Sequence, residues 1–440
     1  MNQKSLIPSW ISHHGIDAIQ IPKHDRPLVK FSLIFPTGSF SDPLGKEGLS
    51  NFMGDLLLRG TKNKSRDQIE SQLDHLGASL NAYIGYHSFM IDGYCLKRNL
   101  QDLLELTQEI LLSPSFDDGE VEKLKNELYS DFMLRLEDDQ DLARDCFSKN
   151  LFQGNRYARD VSGNKPSIQG ITKSDVEKKY KEIIHRDKVL LGVSGDIEEH
   201  TFLQLIETLC SSLPEGSREI ISDHHVSPIK RNKIFLVDKP ERSQTQFFLG
   251  HPCLHANHQD LTALQCFANA FAGSIFQAKY MQEIRVKRGW SYGASGGVDA
   301  KRDAGSFYLY TFPKTQDTIE AVELSMKLFD QAVHGDLIED QLLEFSKQYM
   351  LRSYPFKIDT PEKVLSRRIS DRLLDRPEGY FESYVDRVSA LSLEQMRDAA
   401  KAHLDPKHLI ISILCTAKDL EGIENRLHIE EKEVIPFDLE

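Results

Sequence analysis

The amino-acid sequence predicts an α+β fold of two homologous lobes, each a mostly antiparallel sheet packed with helices. Three observations carry that prediction. A chain of 440 residues and 50.3 kDa exceeds what one hydrophobic core usually organises. Its second half repeats its first: ITKSDVEKKYKEIIHRDKVLLGVSGD, from Ile171, aligns without a gap on LSLEQMRDAAKAHLDPKHLIISILCT, from Leu391, at an offset of 220. Strand-like runs are separated by mixed helical spans, which disfavours a doubly wound parallel sheet. An offset of half the chain indicates duplication; a solenoid would repeat every 20 to 50 residues or so.

Each half is expected to run through the same elements. A strand opens the first, where Val29, Phe31, Leu33 and Phe35 alternate with Lys30, Ser32 and Ile34. Its counterpart near Gln244 to Gly250 reads as shorter. A helix follows, about Gly48 to Leu58 in the first half and Leu261 to Lys287 in the second. Strand-like material comes next, Ala78 to Lys97 and Tyr292 to Phe312. Amphipathic helices then present Leu100, Leu103, Leu104 and Leu111, or Ile319, Val322, Met326 and Phe329. Each half closes on a helix capped by Thr172 or Ser392 and a buried strand. The polar, proline-bearing stretch Leu213 to Asn232 reads as the linker, giving lobes of 1–217 and 218–440.

Composition narrows the function classes. Hydrophobic residues at 40% and charged residues at 28% mark a globular chain. A net charge of −13 argues against nonspecific nucleic-acid binding. No apolar run approaches the roughly 18 residues of a membrane span. The opening MNQKSLIPSWISHHG has no apolar segment of the signal-peptide kind, so no leader is expected. Six scattered cysteines without a CxxC predict reduced thiols and a cytoplasmic location.

The segment GLSNFMGDLLLRGT, from Gly48, set in a duplicated α+β chain of this size, resembles the pitrilysin/insulinase-type metallopeptidases, in particular their short, processing-peptidase-like subunits. The resemblance covers nearly the whole chain. It implies a helix that in the family carries HxxEH, two histidines for zinc and a glutamate that activates the bound water. Here those positions hold Asn51, Gly54 and Asp55, and the family's later glutamate ligand falls at Asp131 or Phe132. Asn is a poor zinc ligand and Gly has no carboxylate, so this chain is expected to bind no zinc. A residual oxygen site for Mg or Ca from Asn51, Asp55 and Asp131 is the alternative. A plain polar face is the simpler one.

In the second half, LQCFANAFAGSIFQAKYMQEIRVKRGWSYGASGG resembles the family's C-terminal lobe, with its Arg-x6-Tyr pair at Arg285 and Tyr292. The resemblance implies that both bind substrate and stabilise the transition state at a zinc site. A tyrosine hydroxyl can donate to an oxyanion, and a guanidinium offers a rigid fork of donors. A structural reading stands beside it: Arg285, Lys287 and Arg288 fit the last turn of a helix ended by Gly289, and Tyr292 would begin a strand. The family's non-zinc mitochondrial subunit has a long glycine-rich loop where this chain has only Ala272 to Ser274, which favours the bacterial-type paired subunits.

Other patterns are weaker. His251, His255 and His258 have ligand-like spacing, but Pro252 breaks regularity and no acidic or Cys partner is fixed nearby, so they read as loop histidines. His13–His14 and His224–His225 are adjacent pairs, and RVKR at Arg285 to Arg288 reads as a helix end. There is no P-loop, GxSxG or GxGxxG after a strand. The expected function is the non-zinc subunit of a peptidase heterodimer, with zinc on a homologous partner or through self-association, acting on unfolded peptides. The alternative is a catalytically inactive structural or peptide-binding homologue.

Overall fold

The computed structural model describes residues 9–13 and 15–438. They form two compact units, each discontinuous in sequence. One comprises the chain up to Phe132 with Arg159–Ile221 and Lys357–Leu373; the other comprises Met133–Ala158, Ser222–Phe356 and the chain from Leu374. Relative to lobes at 1–217 and 218–440, each half therefore lends the other a segment.

The strands are β1 (Ile11–His13), β2 (Ile16–Pro22), β3 (Leu28–Phe35), β4 (Ser79–Ile84), β5 (Phe89–Leu96), β6 (Val189–Gly195), β7 (Lys233–Asp238), β8 (Gln246–Cys253), β9 (Ala294–Ala300), β10 (Gly305–Thr311), β11 (Ile410–Cys415) and β12 (Glu431–Pro436). Helices of the first half are α1 (Leu49–Leu57), α2 (Arg66–Leu76), α3 (Leu100–Leu112), α4 (Asp118–Arg135), α5 (Asp139–Leu151), α6 (Lys165–Gln169), α7 (Lys173–Ile183) and α8 (Glu199–Ser212). The second half has α9 (Leu261–Ala272), α10 (Lys279–Met281), α11 (Thr318–His334), α12 (Asp340–Ser353), α13 (Pro361–Leu373), α14 (Tyr384–Ala390), α15 (Leu393–His403) and α16 (Ile423–Arg426). Among the described residues no helix is long and apolar enough to cross a membrane.

The two sheets share one plan, β1-β2-β6-β3-β5-β4 and β12-β7-β11-β8-β10-β9. Both are mixed and mostly antiparallel, with β2–β6, β7–β11 and β7–β12 parallel. The sequence repeat is reproduced in register: Leu191 lies between Ala18 and Leu33, and Ile411 between Ile234 and Leu249. Thr172 and Ser392 head α7 and α15 with reciprocal capping boxes, closed by Asp175 and Gln395.

Several expectations need correction. The first long strand of each half is β2 or β7, ahead of the strands read from the sequence, and β8 is as long as β3. Ile34 does not alternate outward with Lys30: it is buried with Ile19, Ile21 and Leu190 under Leu365 and Ile369 of α13. The sheet's second face is thus covered by a helix from the other half of the sequence. In the second unit α5 plays that part, with Phe147 stacked on Phe248 of β8 at 5.9 Å. The helix expected over Leu261 to Lys287 breaks after Ala272 and resumes as α10 and a five-residue π-turn, Gln282–Val286. Tyr292 precedes β9 by two residues instead of beginning it.

The connection from Leu213 to Asn232 contains neither helix nor strand, yet it is anchored. Arg218 is buried and donates to Thr37 Oγ1 and to the carbonyls of Ile183, His185 and Asp187. In the second unit, Asn155 donates to the carbonyls of Asp223 and His225, and Asp223 N donates to Asp303. Such a segment is part of both units and not a free tether.

Candidate functional site

The helix that the sequence singles out, α1, is held firmly. Gly48 precedes it at φ 85°, and a Cβ there would lie 2.5 Å from Ser162 O, so only glycine fits. In the first turn, Ser50 donates from its backbone and its hydroxyl to the buried Asp42, at 3.1 and 2.5 Å. Lys179, also buried, approaches Asp42 at 3.7 Å. Burial nevertheless raises the Asp42 carboxyl to about 6.

The half-buried face of α1 carries Asn51 and Asp55, one turn apart. Asn51 Nδ2 donates to Asp55 Oδ2 at 3.2 Å. Burial raises the Asp55 carboxyl to about 6; nearby Asp131 and Glu127 push it further up, and Arg59 opposes them. The fold therefore does bring Asp131 of α4 into the field of Asp55. Arg59 is gripped by Glu127 at 3.0 and 2.5 Å and faces Glu120 at 3.7 Å.

Gly54 is the position with the least room. An added Cβ would stand 3.1 Å from the Phe89 ring and 3.4 Å from Ile84 Cδ1. Any side chain there would press on these β4 and β5 residues, which would have to give by a few tenths of an ångström. The zinc ion implied by the resemblance does not fit this face. No imidazole or thiolate is present at Asn51, Gly54 or Asp55, and among the described residues no trio of His, Cys, Asp or Glu converges there.

In the second unit, Arg285 sits in the π-turn, where Lys287 N bonds to Gln282 O, five residues back. One extra residue per turn is a local irregularity that helices commonly keep at functional places. Gly289, at φ 66°, ends the turn, and Lys287 and Arg288 both pair with Glu283. Arg285 is left out of that network: its guanidinium lies 4.8 Å from the Tyr292 ring and 6.0 Å from that of Phe276. Tyr292 is 80% exposed, and its hydroxyl has no hydrogen-bond partner among the described residues. The loop carrying it is tied down, since Ser291 Oγ and Thr311 Oγ1 both donate to Gly293 O. The structure thus brings Arg285, half-buried in the π-turn, against the exposed Tyr292 of the loop that follows.

The histidines divide. His251 belongs to β8 and is buried, correcting its reading as a loop residue; its Nδ1 contacts Pro252 O at 2.7 Å, its Nε2 accepts from Asp405 N, and its ring stacks on Phe329. Burial lowers its pKa to about 4. His255 and His258 do lie in the loop before α9, but they have an acidic neighbour, Asp260, and a further imidazole, His403. Sequence spacing missed this because His403 is at the far end of α15. His224 Nδ1 contacts Asp303 O, and His14 lies outside the described residues. Cys95, Cys146, Cys253, Cys266 and Cys415 are free thiols.

Comparison with known proteins bears on the family and the fold. Residues 19–165 match the profile of the insulinase family (peptidase family M16), and residues 170–352 that of the peptidase M16 inactive domain. The chain is 23% identical over 421 residues to the non-peptidase homolog YmxG of Helicobacter pylori, covering 94% of this chain and 96% of that one. It is 20% identical over 397 residues to an uncharacterized zinc protease, YmxG, of Bacillus subtilis, covering 88% and 93%. A peptidase M16 inactive domain from Pseudomonas fluorescens superimposes with a TM-score of 0.85 at 20% identity, over 93% of this chain and 98% of that one. With two profiles of the family covering residues 19–165 and 170–352 and the shared two-sheet plan, the chain belongs to the M16, or pitrilysin/insulinase, peptidase family.

Proposed function

We propose that this chain is a hydrolytically inactive member of its family that binds extended peptide segments without cleaving them. The observation that carries the reading is the α1 face: a glycine packed against Phe89 and Ile84 stands where a general base is needed, flanked by an amide and a carboxyl that hydrogen-bond to each other. The peptide would add as a strand to a sheet edge, for which β4 and β9, the terminal strands of their sheets, are suited. The relative called a non-peptidase homolog and the match to an inactive-domain profile support the same reading. The cytoplasm is the compartment we propose, in keeping with the five free thiols among the described residues.

A second reading is favoured by one observation, the exposed Tyr292 against Arg285, which has no ion-pair partner among the described residues. In it, the chain joins a zinc-bearing homologous subunit, or a second copy of itself, and lends these donors to the partner's reaction. Purified chain, alone and with proteins it captures from its own cells, should be assayed on a fluorogenic unstructured peptide with and without a chelator. Peptide binding without turnover in either sample supports the inactive homologue. Chelator-sensitive turnover in the captured sample alone supports the partner role, and Tyr292→Phe should then lower it by about 10- to 1000-fold. Turnover by the chain alone sinks both.

A further inference from the structure

We propose that His258, Asp260 and His403 form a binding site for one divalent transition-metal ion of the zinc class, with His255 beside it as a fourth candidate ligand. The proposal is independent of the reading above and concerns the second unit only.

Three elements deliver the side chains. His255 and His258 stand in the loop after β8, Asp260 immediately precedes α9, and His403 is the last residue of α15. Asp260 Oδ2 is 2.8 Å from His403 Nε2 and 3.9 Å from His258 Nδ1. One nitrogen or oxygen from each of His258, Asp260 and His403 lies within 4.8 Å of the others. Around a tetrahedral zinc, neighbouring ligand atoms are roughly 3.3 Å apart, so closing the site needs shifts of under about 1 Å. The imidazoles pack edge to face, with centroids 4.9 Å apart for His258 and His403 and 5.8 Å for His255 and His258.

An ordinary Asp–His ion pair accounts for His403 and Asp260, while Nδ1 of His258 and of His255 accept the backbone N–H groups of Asp260 and Asn257 at 3.1 and 3.3 Å. A cation bound by His258, Asp260 and His403 would replace the Asp260 N to His258 Nδ1 hydrogen bond and the Asp260–His403 pair with metal–ligand bonds. Two imidazole nitrogens and one carboxylate oxygen are a donor set for zinc, nickel or cobalt, whereas magnesium and calcium call for oxygen alone. Side-chain exposures of 28%, 40% and 19% for His258, Asp260 and His403 leave the ion open to water or His255. Bound there, it would clasp the start of α9 to the end of α15.

The test uses the untagged full chain, stripped with chelator and titrated calorimetrically with zinc chloride, with cobalt absorbance reporting the ligand field. The expected result is one ion per chain, a Kd at or below about 10 μM, and a melting temperature that rises with zinc. His258→Gln with His403→Gln should weaken binding at least about 100-fold, and Asp260→Asn about 10-fold or more. His334→Gln, on α11, serves as the control and should bind as the parent does. Absence of saturable binding to the parent chain up to about 1 mM zinc overturns the proposal whether or not the variants fold. Unchanged stoichiometry and affinity in a folded double variant overturns it as well, by placing the ion elsewhere.

Discussion

Asp55 shows what burial does to a single carboxyl. A carboxylate in this half-buried position is disfavoured by burial and by Asp131, and its pKa rises to about 6. The folded chain therefore holds more protons than the unfolded chain between about pH 4 and pH 6, and stability falls as pH rises through that window. Asp55→Asn removes the penalty. Denaturant unfolding should show the variant more stable by about 1–3 kcal/mol at pH 7 and equal to the parent near pH 4. A constant difference at both pH values would mean that the gain comes from packing and not from charge. The residue identities at Asn51, Gly54 and Asp55 were legible from the sequence alone, since they follow from position along a helix. The closing of the space by Phe89 and Ile84 was not, because those residues come from a hairpin whose register the alternation of side chains leaves open.

Among the elements, α13 best shows why a sheet face can be misread. Ile34 alternates with residues on the core side of β3, so a one-faced sheet places it in solvent; α13 covers it instead. The close approach depends on Gly192 of β6, where an added Cβ would be 2.6 Å from Leu365 Cδ1 and 2.9 Å from Ile369 Cδ1. Gly192→Val should lift α13 and cost about 1–3 kcal/mol, the usual range for overpacking. Proteolysis across Lys357–Leu373 should speed up accordingly. Gly297→Ala, at a site with nothing within 4 Å of the new methyl, should leave both quantities nearly unchanged. Helix caps were predictable here, as Thr172 and Ser392 show, because capping is decided within four residues. The break after Ala272 falls at Gly273, a stop signal that the sequence does carry, whereas the π-turn that follows leaves no mark in the residue pattern.

At the level of the whole molecule, the internal repeat gave the two-sheet plan, since duplicated halves must solve the same packing problem. The exchange of segments was invisible to it. Covering helices α5 and α13 belong to neither strand order, and nothing local says which sheet they will meet. Residues 1–217 produced alone would lack α13 and expose Ile19, Ile21, Ile34 and Leu190; residues 218–440 alone would lack α5. Neither half is expected to unfold cooperatively by itself, and both should bind a hydrophobic dye. Co-expression should recover a copurifying pair with the circular dichroism of the intact chain. A half that melts cooperatively as a monomer would show that the borrowed helix is dispensable.

The exchange also sets a clock on biosynthesis. The first unit cannot be completed when Ile221 leaves the ribosome, because α13 ends only at Leu373, about 150 residues later. At roughly 5–20 residues per second that interval lasts on the order of 8–30 s. During it, the outer face of β2, β6 and β3 stays apolar and open, a nascent surface that a holding chaperone would recognise. The last segment of the first unit is thus supplied by the half of the chain made after it, and the order of translation delays its closure.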